Sequence, residues 1–248
     1  MKATQFEFRF RIWIAVALYV LGFSAPWSSI LSRYVDIAPD TTAWLALSTA
    51  LARLGWFSLS QATILVTSLA IACVFLGSLL RIWGTAYLGS SVVHSGAMHA
   101  EQVMASGPYR YTRNPLYLGT WLFSIGVAIL MPPSGAVFFL LGTFLFYYRL
   151  ILGEEDYLTK QQGAAYLEYR RRVPQILPSL RPRLAASEAR PRWLQGLIGE
   201  SFTFAFACCF AVLAWRYEAH LLIRCILICF GLSLVTRAFL PRESPAPA

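Results

Sequence analysis

Chemistry-bearing residues in this 248-residue chain concentrate in two short polar stretches. The first reads Gly107-Pro108-Tyr109-Arg110-Tyr111-Thr112-Arg113-Asn114-Pro115-Leu116-Tyr117-Leu118-Gly119. Asn114-Pro115 is a helix start, with Asn as cap and Pro at the first helical position, and Gly107-Pro108 is a turn. Tyrosines 109, 111 and 117 and arginines 110 and 113 therefore converge on a helix N-terminus, where free N–H groups and the positive dipole end suit an anion. Arg110 and Arg113 add cationic forks for a carboxylate or phosphate. The same residues also suit a simple anchor at a membrane interface, and spacing alone leaves both readings open.

The second stretch runs from Arg149 through Gly153-Glu154-Glu155-Asp156-Tyr157-Leu158, then Gly163-Ala164-Ala165-Tyr166-Leu167-Glu168-Tyr169-Arg170-Arg171-Arg172-Val173-Pro174. Consecutive acids at the end of an apolar helix run against the preference of helix C-termini for cations. They mark solvated surface, the start of another helix, or a site. A carboxylate pair there can hydrogen-bond a ribose or balance a cationic ligand. Tyr166, Tyr169 and Arg170 share one helical face by i, i+3, i+4 spacing. The alternative is a surface amphipathic helix with its basic end on anionic lipid.

The elements that must position these residues are apolar helices. Hydrophobic residues make up 57% of the chain and charged residues 13%, with mean hydropathy +0.56; soluble domains carry about 25% charge. That composition excludes disorder, and five cysteines exclude a disulfide-rich scaffold. The net charge of +9 is almost all arginine, Lys2 and Lys160 being the lysines. A bilayer core needs roughly 20 apolar residues per helix. The predicted fold is all-α and polytopic, with about six membrane helices near Ile12–Leu31, Ala62–Ile82, Leu116–Met131, Gly135–Leu152, Leu197–Trp215 and Leu221–Leu240. Ala43–Leu59 is short and carries Arg53, so it reads as interfacial or re-entrant, with a shorter true span as the rival. The first run lacks the marks of a cleavable signal peptide. The arginines fall mostly on one side of these spans, which predicts both termini and the site on the cytoplasmic face, in a setting such as a bacterial inner membrane. The site is expected at one end of the hairpin Leu116–Leu152, which turns at Met131–Gly135. The chain divides into N-terminal membrane helices (1–78), a core (79–180), and a basic linker with a C-terminal hairpin (181–248). Val173–Arg192 reads as a linker at the membrane surface.

Taken together, the two stretches resemble the isoprenylcysteine carboxyl methyltransferase and phospholipid methyltransferase group of integral-membrane enzymes. Gly107, Pro108, Tyr109, Arg113, Pro115, Tyr117 and Gly119 match its first signature, in which Asn114 stands where the group usually has His. Glu154, Glu155, Leu158, Gly163, Tyr166, Tyr169, Arg172, Val173 and Pro174 match its second. Arg81, Leu88, Gly89 and His99 match more loosely upstream. The resemblance covers about Leu79–Leu180. It implies S-adenosylmethionine as cofactor and a lipophilic acceptor entering from the bilayer. By that resemblance Tyr109, Arg113, Asn114, Pro115, Tyr117, Gly119, Glu154, Glu155, Tyr166 and Tyr169 form the cofactor site. Arg172 is the cation expected to orient an acceptor carboxylate, and Glu155 a further catalytic candidate. Asn114 can cap a helix and donate an N–H, but it cannot act as a base, which favours an acceptor that arrives ionised, a carboxylate or thiolate, over a phospholipid amine. His99, Glu154 or Glu155 would have to deprotonate an amine.

The competing readings are a nicotinamide-dependent membrane reductase of the sterol or steroid type, whose later motif tends toward Asp rather than Glu-Glu, and a non-enzymatic membrane protein. No metal site is expected: Cys225 and Cys229 are spaced i, i+4 but no His or acid joins them, and Cys73, Cys208 and Cys209 read as packing residues. Arg224 is expected to reach the membrane interface, with Glu218 or Glu200 as an alternative partner. His94 and His220 read as interfacial. No nucleic-acid signature accompanies the positive charge. Membrane lipids are the expected surroundings.

Overall fold

The computed structural model describes residues 2–24, 41–88, 106–185, 189–216 and 219–238. The described residues are helix and loop, without strands. The order is α1 (Gln5–Arg9), α2 (Arg11–Ser24), α3 (Ala43–Arg53), α4 (Leu59–Leu88), a 3-10 turn (Gly107–Arg110), α5 (Pro115–Ala128), α6 (Pro133–Gln162), α7 (Ala164–Arg172), α8 (Trp193–Gly199), α9 (Ser201–Arg216) and α10 (Ala219–Ala238). Gly89, His94 and His99, together with Arg33, Glu218 and Arg242, lie outside the described residues, as do residues 25–31 of the first expected span.

Each predicted apolar run carries a helix, but not each is a span by itself. Among the described residues, α4 and α6 have the length and apolarity to cross a membrane, and α8 with α9, bent by 67°, adds a third if counted as one broken span. At 1.5 Å rise per residue their 30 residues reach about 45 Å. α5 and the described part of α2 have 14 residues each, about 21 Å, less than the roughly 30 Å of hydrocarbon. Pro115 opens α5, and Pro132-Pro133 after Met131 prevents its continuation.

Two compact units can be distinguished, each made of segments discontinuous in sequence. One comprises Met1–Leu76 and Trp121–Gly153. Here Thr4 and Glu7 form a reciprocal capping box at the start of α1, and Glu7 pairs with Arg149 at 2.9 Å. The 11 residues of α3 are too few to cross a bilayer. Its first N–H groups donate from Ala43 to the Met131 carbonyl (2.7 Å) and from Trp44 to that of Ile129 (2.8 Å). Donors orphaned at the start of one helix thus satisfy carbonyls at the hairpin turn. Arg53 is exposed at the C-terminus of α3, where a cation suits the dipole. The core of this unit gathers Ala43, Ala128, Met131, Ala136 and Phe139.

The other unit comprises Gly77–Thr120 and Glu154–Ala248. Gly119 on α5 lets the Arg81 stem and the Gly77 carbonyl of α4 come so close that a Cβ would lie 2.8 Å from each. Gly163, with φ +57°, breaks the helix between α6 and α7. The C-terminal helices attach through backbone and side chain: Arg192 N–H donates to the Ala86 carbonyl (2.7 Å) and Ser78 Oγ to the Thr203 carbonyl (3.0 Å). Glu200, at the bend between α8 and α9, is 1% exposed and takes Arg81 Nε and Nη2 at 2.7 Å each. Arg81, not Arg224, is therefore the cation on Glu200, and Arg224 is exposed.

Candidate functional site

The two polar stretches meet within the second unit, and the carboxylate of Glu155 is their meeting point. Glu155 stands on α6, which does not stop at Leu152 but continues through the acids to Gln162. It is 3% exposed. Oε1 accepts from Arg113 Nε (2.9 Å) and Asn114 Nδ2 (3.1 Å); Oε2 accepts from Arg113 Nη2 (3.1 Å) and Gln175 Nε2 (3.1 Å). Arg170 Nε lies 3.6 Å from Oε2. Arg113 Nη1 donates in addition to the carbonyls of Arg170 (2.9 Å) and Val173 (2.6 Å). A guanidinium fork and a carboxylate thus join the start of α5, the polar end of α6 and the C-terminus of α7.

Asn114 precedes α5 as expected, and its carbonyl accepts from Leu118 N–H at 3.1 Å. Its side chain is not turned to the helix N–H groups, however; the amide donates to Glu155 and to the Gln175 carbonyl, both at 3.1 Å. Pro115 is fully buried behind it. One turn further along α5, Tyr117 donates its hydroxyl to Glu154 Oε1 at 2.8 Å. The neighbouring acids Glu154 and Glu155 therefore have separate partners, one phenol and one arginine fork.

The tyrosines form a second layer. Tyr166 and Tyr169 are buried with Val173, their ring centroids 5.7 Å apart. Tyr169 donates its hydroxyl to the Tyr109 carbonyl at 2.8 Å. The Tyr109 hydroxyl is buried and has no hydrogen-bond partner. Burial, reinforced by the neighbouring acids and phenols, pushes the pKa of Tyr109 up strongly; burial and Glu155 do the same for Tyr166, and burial and Tyr166 for Tyr169. All three remain neutral hydroxyls at working pH.

Most of the expected site residues come together. Arg113, Asn114, Glu155, Glu154 and Tyr117 are directly linked, and Tyr109, Tyr166 and Tyr169 line the adjoining layer. Pro115 and Gly119 act through the backbone, opening α5 and seating it on α4. Arg172 stands apart: it pairs with Glu168 at 2.7 Å on the exposed side of α7. The cation that turns to Glu155 from α7 is Arg170. Sequence reasoning missed Gln175 and the pair Arg81–Glu200. Gln175 carries no signal beyond following Val173-Pro174. Glu200 had one, as a lone acid between apolar runs, and it was weighed only against Arg224.

The phospholipid methyltransferase family model matches residues 65–165. Among curated proteins, the chain is similar to protein-S-isoprenylcysteine O-methyltransferase B of Arabidopsis thaliana, 28% identical over 46% of this chain and 59% of that protein. It is similar to the protein-S-isoprenylcysteine O-methyltransferase of Xenopus laevis, 26% identical over 68% of this chain and 56% of that protein. It is also similar to that of Saccharomyces cerevisiae, 32% identical over 49% of this chain and 53% of that protein. The chain thus spans a little over half the length of these relatives. No solved structure matches it. The resemblance carried by the two polar stretches is borne out as a similarity: the chain is similar to the phospholipid methyltransferase family over residues 65–165 and to protein-S-isoprenylcysteine O-methyltransferases over about half their length.

Proposed function

We propose that this chain is an integral-membrane, S-adenosylmethionine-dependent methyltransferase acting on a lipophilic acceptor, with residues 79–180 as its core. The carrying observation is the buried Glu155 cluster, which joins the two stretches through Arg113 and Asn114. The donor set fits such a cofactor. Glu154, held by a phenol at the end of an apolar helix, offers a carboxylate for ribose hydroxyls or an ammonium group, and Tyr109 holds a buried hydroxyl that meets no protein partner. When bound, S-adenosylmethionine supplies a methyl group on a cationic sulfur, ready for in-line displacement.

The residues of the chain then bind, orient and exclude water. Glu154 and Tyr117 would hold polar groups of the cofactor. Arg113 and Asn114, fixed by Glu155, would keep the start of α5 in place for its carboxylate. Tyr109, Tyr166 and Tyr169 would wall the pocket with rings that stay uncharged. A dry site favours dispersal of the sulfonium charge, and positioning supplies the rest of the acceleration. Both Glu155 oxygens already accept from side chains, so Glu155 organises the cluster instead of relaying a proton, and Asn114 offers no base. This supports an acceptor that arrives ionised, a carboxylate or thiolate on a prenylated or other lipid-like molecule. Arg170, which turns to Glu155 from α7, would orient such an anion, in place of the Arg172 expected from the motif. Positive-inside reasoning supports a cytoplasmic face for the site and both termini; a reporter fused after Arg192 reads out that orientation.

The relatives reported above are methyltransferases, which favours methyl transfer over hydride transfer from a nicotinamide. The direct test is binding of radiolabelled S-adenosylmethionine and of reduced nicotinamide cofactor to detergent-purified protein, beside Arg113→Ala and Glu155→Gln. We expect S-adenosylmethionine to bind the native chain and at least tenfold more weakly to either variant. Binding of the nicotinamide cofactor alone would overturn the proposal. Base-labile volatile label from a lipid extract would identify an ester product, and stable label in headgroups an amine acceptor.

A further inference from the structure

The segment after α7 is a strap tied down along its length. Arg113 N–H donates to the Pro174 carbonyl (2.9 Å), Ser179 N–H to that of Tyr111 (3.0 Å) and Arg183 N–H to that of Arg110 (2.9 Å). Thr112 Oγ1 donates to the Ile176 carbonyl (2.9 Å), and Arg110 Nε to that of Leu184 (2.8 Å). Residues 174–184 therefore run across the whole of residues 110–114. So well-fixed a segment would ordinarily turn its leucines inward. Here Leu177 is 79% exposed and Leu180 101%. Exposed arginines flank them along the chain, Arg171 and Arg172 before and Arg181 and Arg183 after, with Glu168 pairing to the first two. Outward leucines flanked by exposed arginines match the boundary between anionic headgroups and acyl chains.

The level of the strap also fits that boundary. Gln175 reaches Glu155, and Glu155 stands three residues beyond the apolar run ending at Leu152, about 4.5 Å along the helix axis. The strap therefore lies where α6 leaves its apolar length. A proline at 174, 178 and 182 limits how far it can flex.

We propose that strap 174–184 is a contact surface for an anionic bilayer, with Leu177 and Leu180 entering the acyl boundary and Arg171, Arg172, Arg181 and Arg183 on the headgroups. Because Gln175 sits on the same strap and donates to Glu155, membrane contact also steadies the Glu155 cluster. This second step rests on the methyltransferase reading; the contact itself does not.

The test uses the full chain in nanodiscs, either zwitterionic or containing about one third phosphatidylglycerol. Leu180→Trp adds one indole, read as the difference from the native chain, and lipids brominated on the acyl chain report its depth. Gln161→Trp, exposed near the end of α6 and about 13.5 Å beyond Leu152 along the helix axis, is the control. We expect the added fluorescence at position 180 to be quenched at least twofold in anionic discs and the control to be unaffected. Arg181→Gln with Arg183→Gln should relieve that quenching. Equal, unquenched emission in both membranes would overturn the proposal and leave the face to an acidic protein partner. Equal quenching in both would overturn the role of the arginines. For the coupling, S-adenosylmethionine should bind at least fivefold more tightly in anionic discs, and Gln175→Ala should abolish that difference. Absence of binding in every lipid would refute the methyltransferase reading while the quenching result stands by itself.

Discussion

Replacing Glu200 by alanine should destabilise this protein more than loss of any exposed acid. Glu200 is 1% exposed and accepts Arg81 Nε and Nη2 at 2.7 Å each; it also accepts from Thr85 Oγ1 at 3.1 Å and Thr203 Oγ1 at 3.2 Å. Arg81, only 17% exposed, would lose the carboxylate that takes two of its donor groups. Breaking a buried pair from one side costs about 3–5 kcal/mol, because the remaining charge stays buried. At about 2–4 °C per kcal/mol for a chain of this size, the melting temperature should fall by roughly 6–20 °C. The five cysteines allow a thiol-reactive dye to follow melting in detergent. A double-mutant cycle isolates the pair: Arg81→Met with Glu200→Leu should restore most of the loss, since two apolar side chains of similar volume leave no stranded charge. Losses that simply add in the double variant, or a Glu200→Ala chain that melts with the native one, would refute the argument.

Tyr109→Phe removes a buried hydroxyl without a protein partner, so thermal stability should hold or rise by about 1 kcal/mol, whereas S-adenosylmethionine binding should weaken in a filter-binding assay. Tyr109, Tyr166 and Tyr169, with pKa values pushed above the usual tyrosine value of 10, should be absent from the ultraviolet titration of the 12 tyrosines until the chain unfolds. Their neutral forms are favoured by folding, so stability from this source is full below pH 10 and falls above it. Glu7 is held down to about 2 by its hydrogen bonds to Arg149 and Thr4, from an ordinary value of 4.5. That stabilisation is present above pH 4.5 and lost as pH falls toward 2, so Glu7→Gln should flatten the melting-temperature profile over that interval.

The helices were largely legible because hydropathy marks them directly, while their ends were not. α6 runs past Leu152 because Glu154, Glu155, Leu158, Lys160 and Gln162 are all good helix formers; hydropathy falls there but helix propensity does not. α4 likewise continues past Arg81, whose charge would end an apolar run if it were unpaired, and Glu200 pairs it. Within the site, residue types drew attention to Arg113, Asn114, Glu155 and the tyrosines, and the family resemblance assigned them to one site. Their partners were hidden, because hydrogen bonds from Gln175 and to the carbonyls of Arg170 and Val173 join segments tens of residues apart. Arg172 illustrates the limit of motif position. It lies six residues from Tyr166, about 120° round the helix, whereas Arg170 lies about 40° away and on the side that meets Glu155.

Scarcity of charge gives the buried acids of this chain an unusual weight. Acids number 12 in 248 residues, and Glu155 and Glu200 are buried, each gripping an arginine by two donors. In apolar surroundings such a pair is directional, since any rotation strands a charge. Glu155 thereby fixes the start of α5 against α7 and the strap, and Glu200 fixes the α8–α9 bend against α4. The Arg81–Glu200 anchor, together with Glu154 of the second polar stretch, bears electrostatically on the Tyr109 hydroxyl. The C-terminal helices, which read from sequence as an appended hairpin, thus bear on the same residue as the two polar stretches. A substitution at Glu200 should be felt at Tyr109, and through it by whatever the site binds, without touching either stretch.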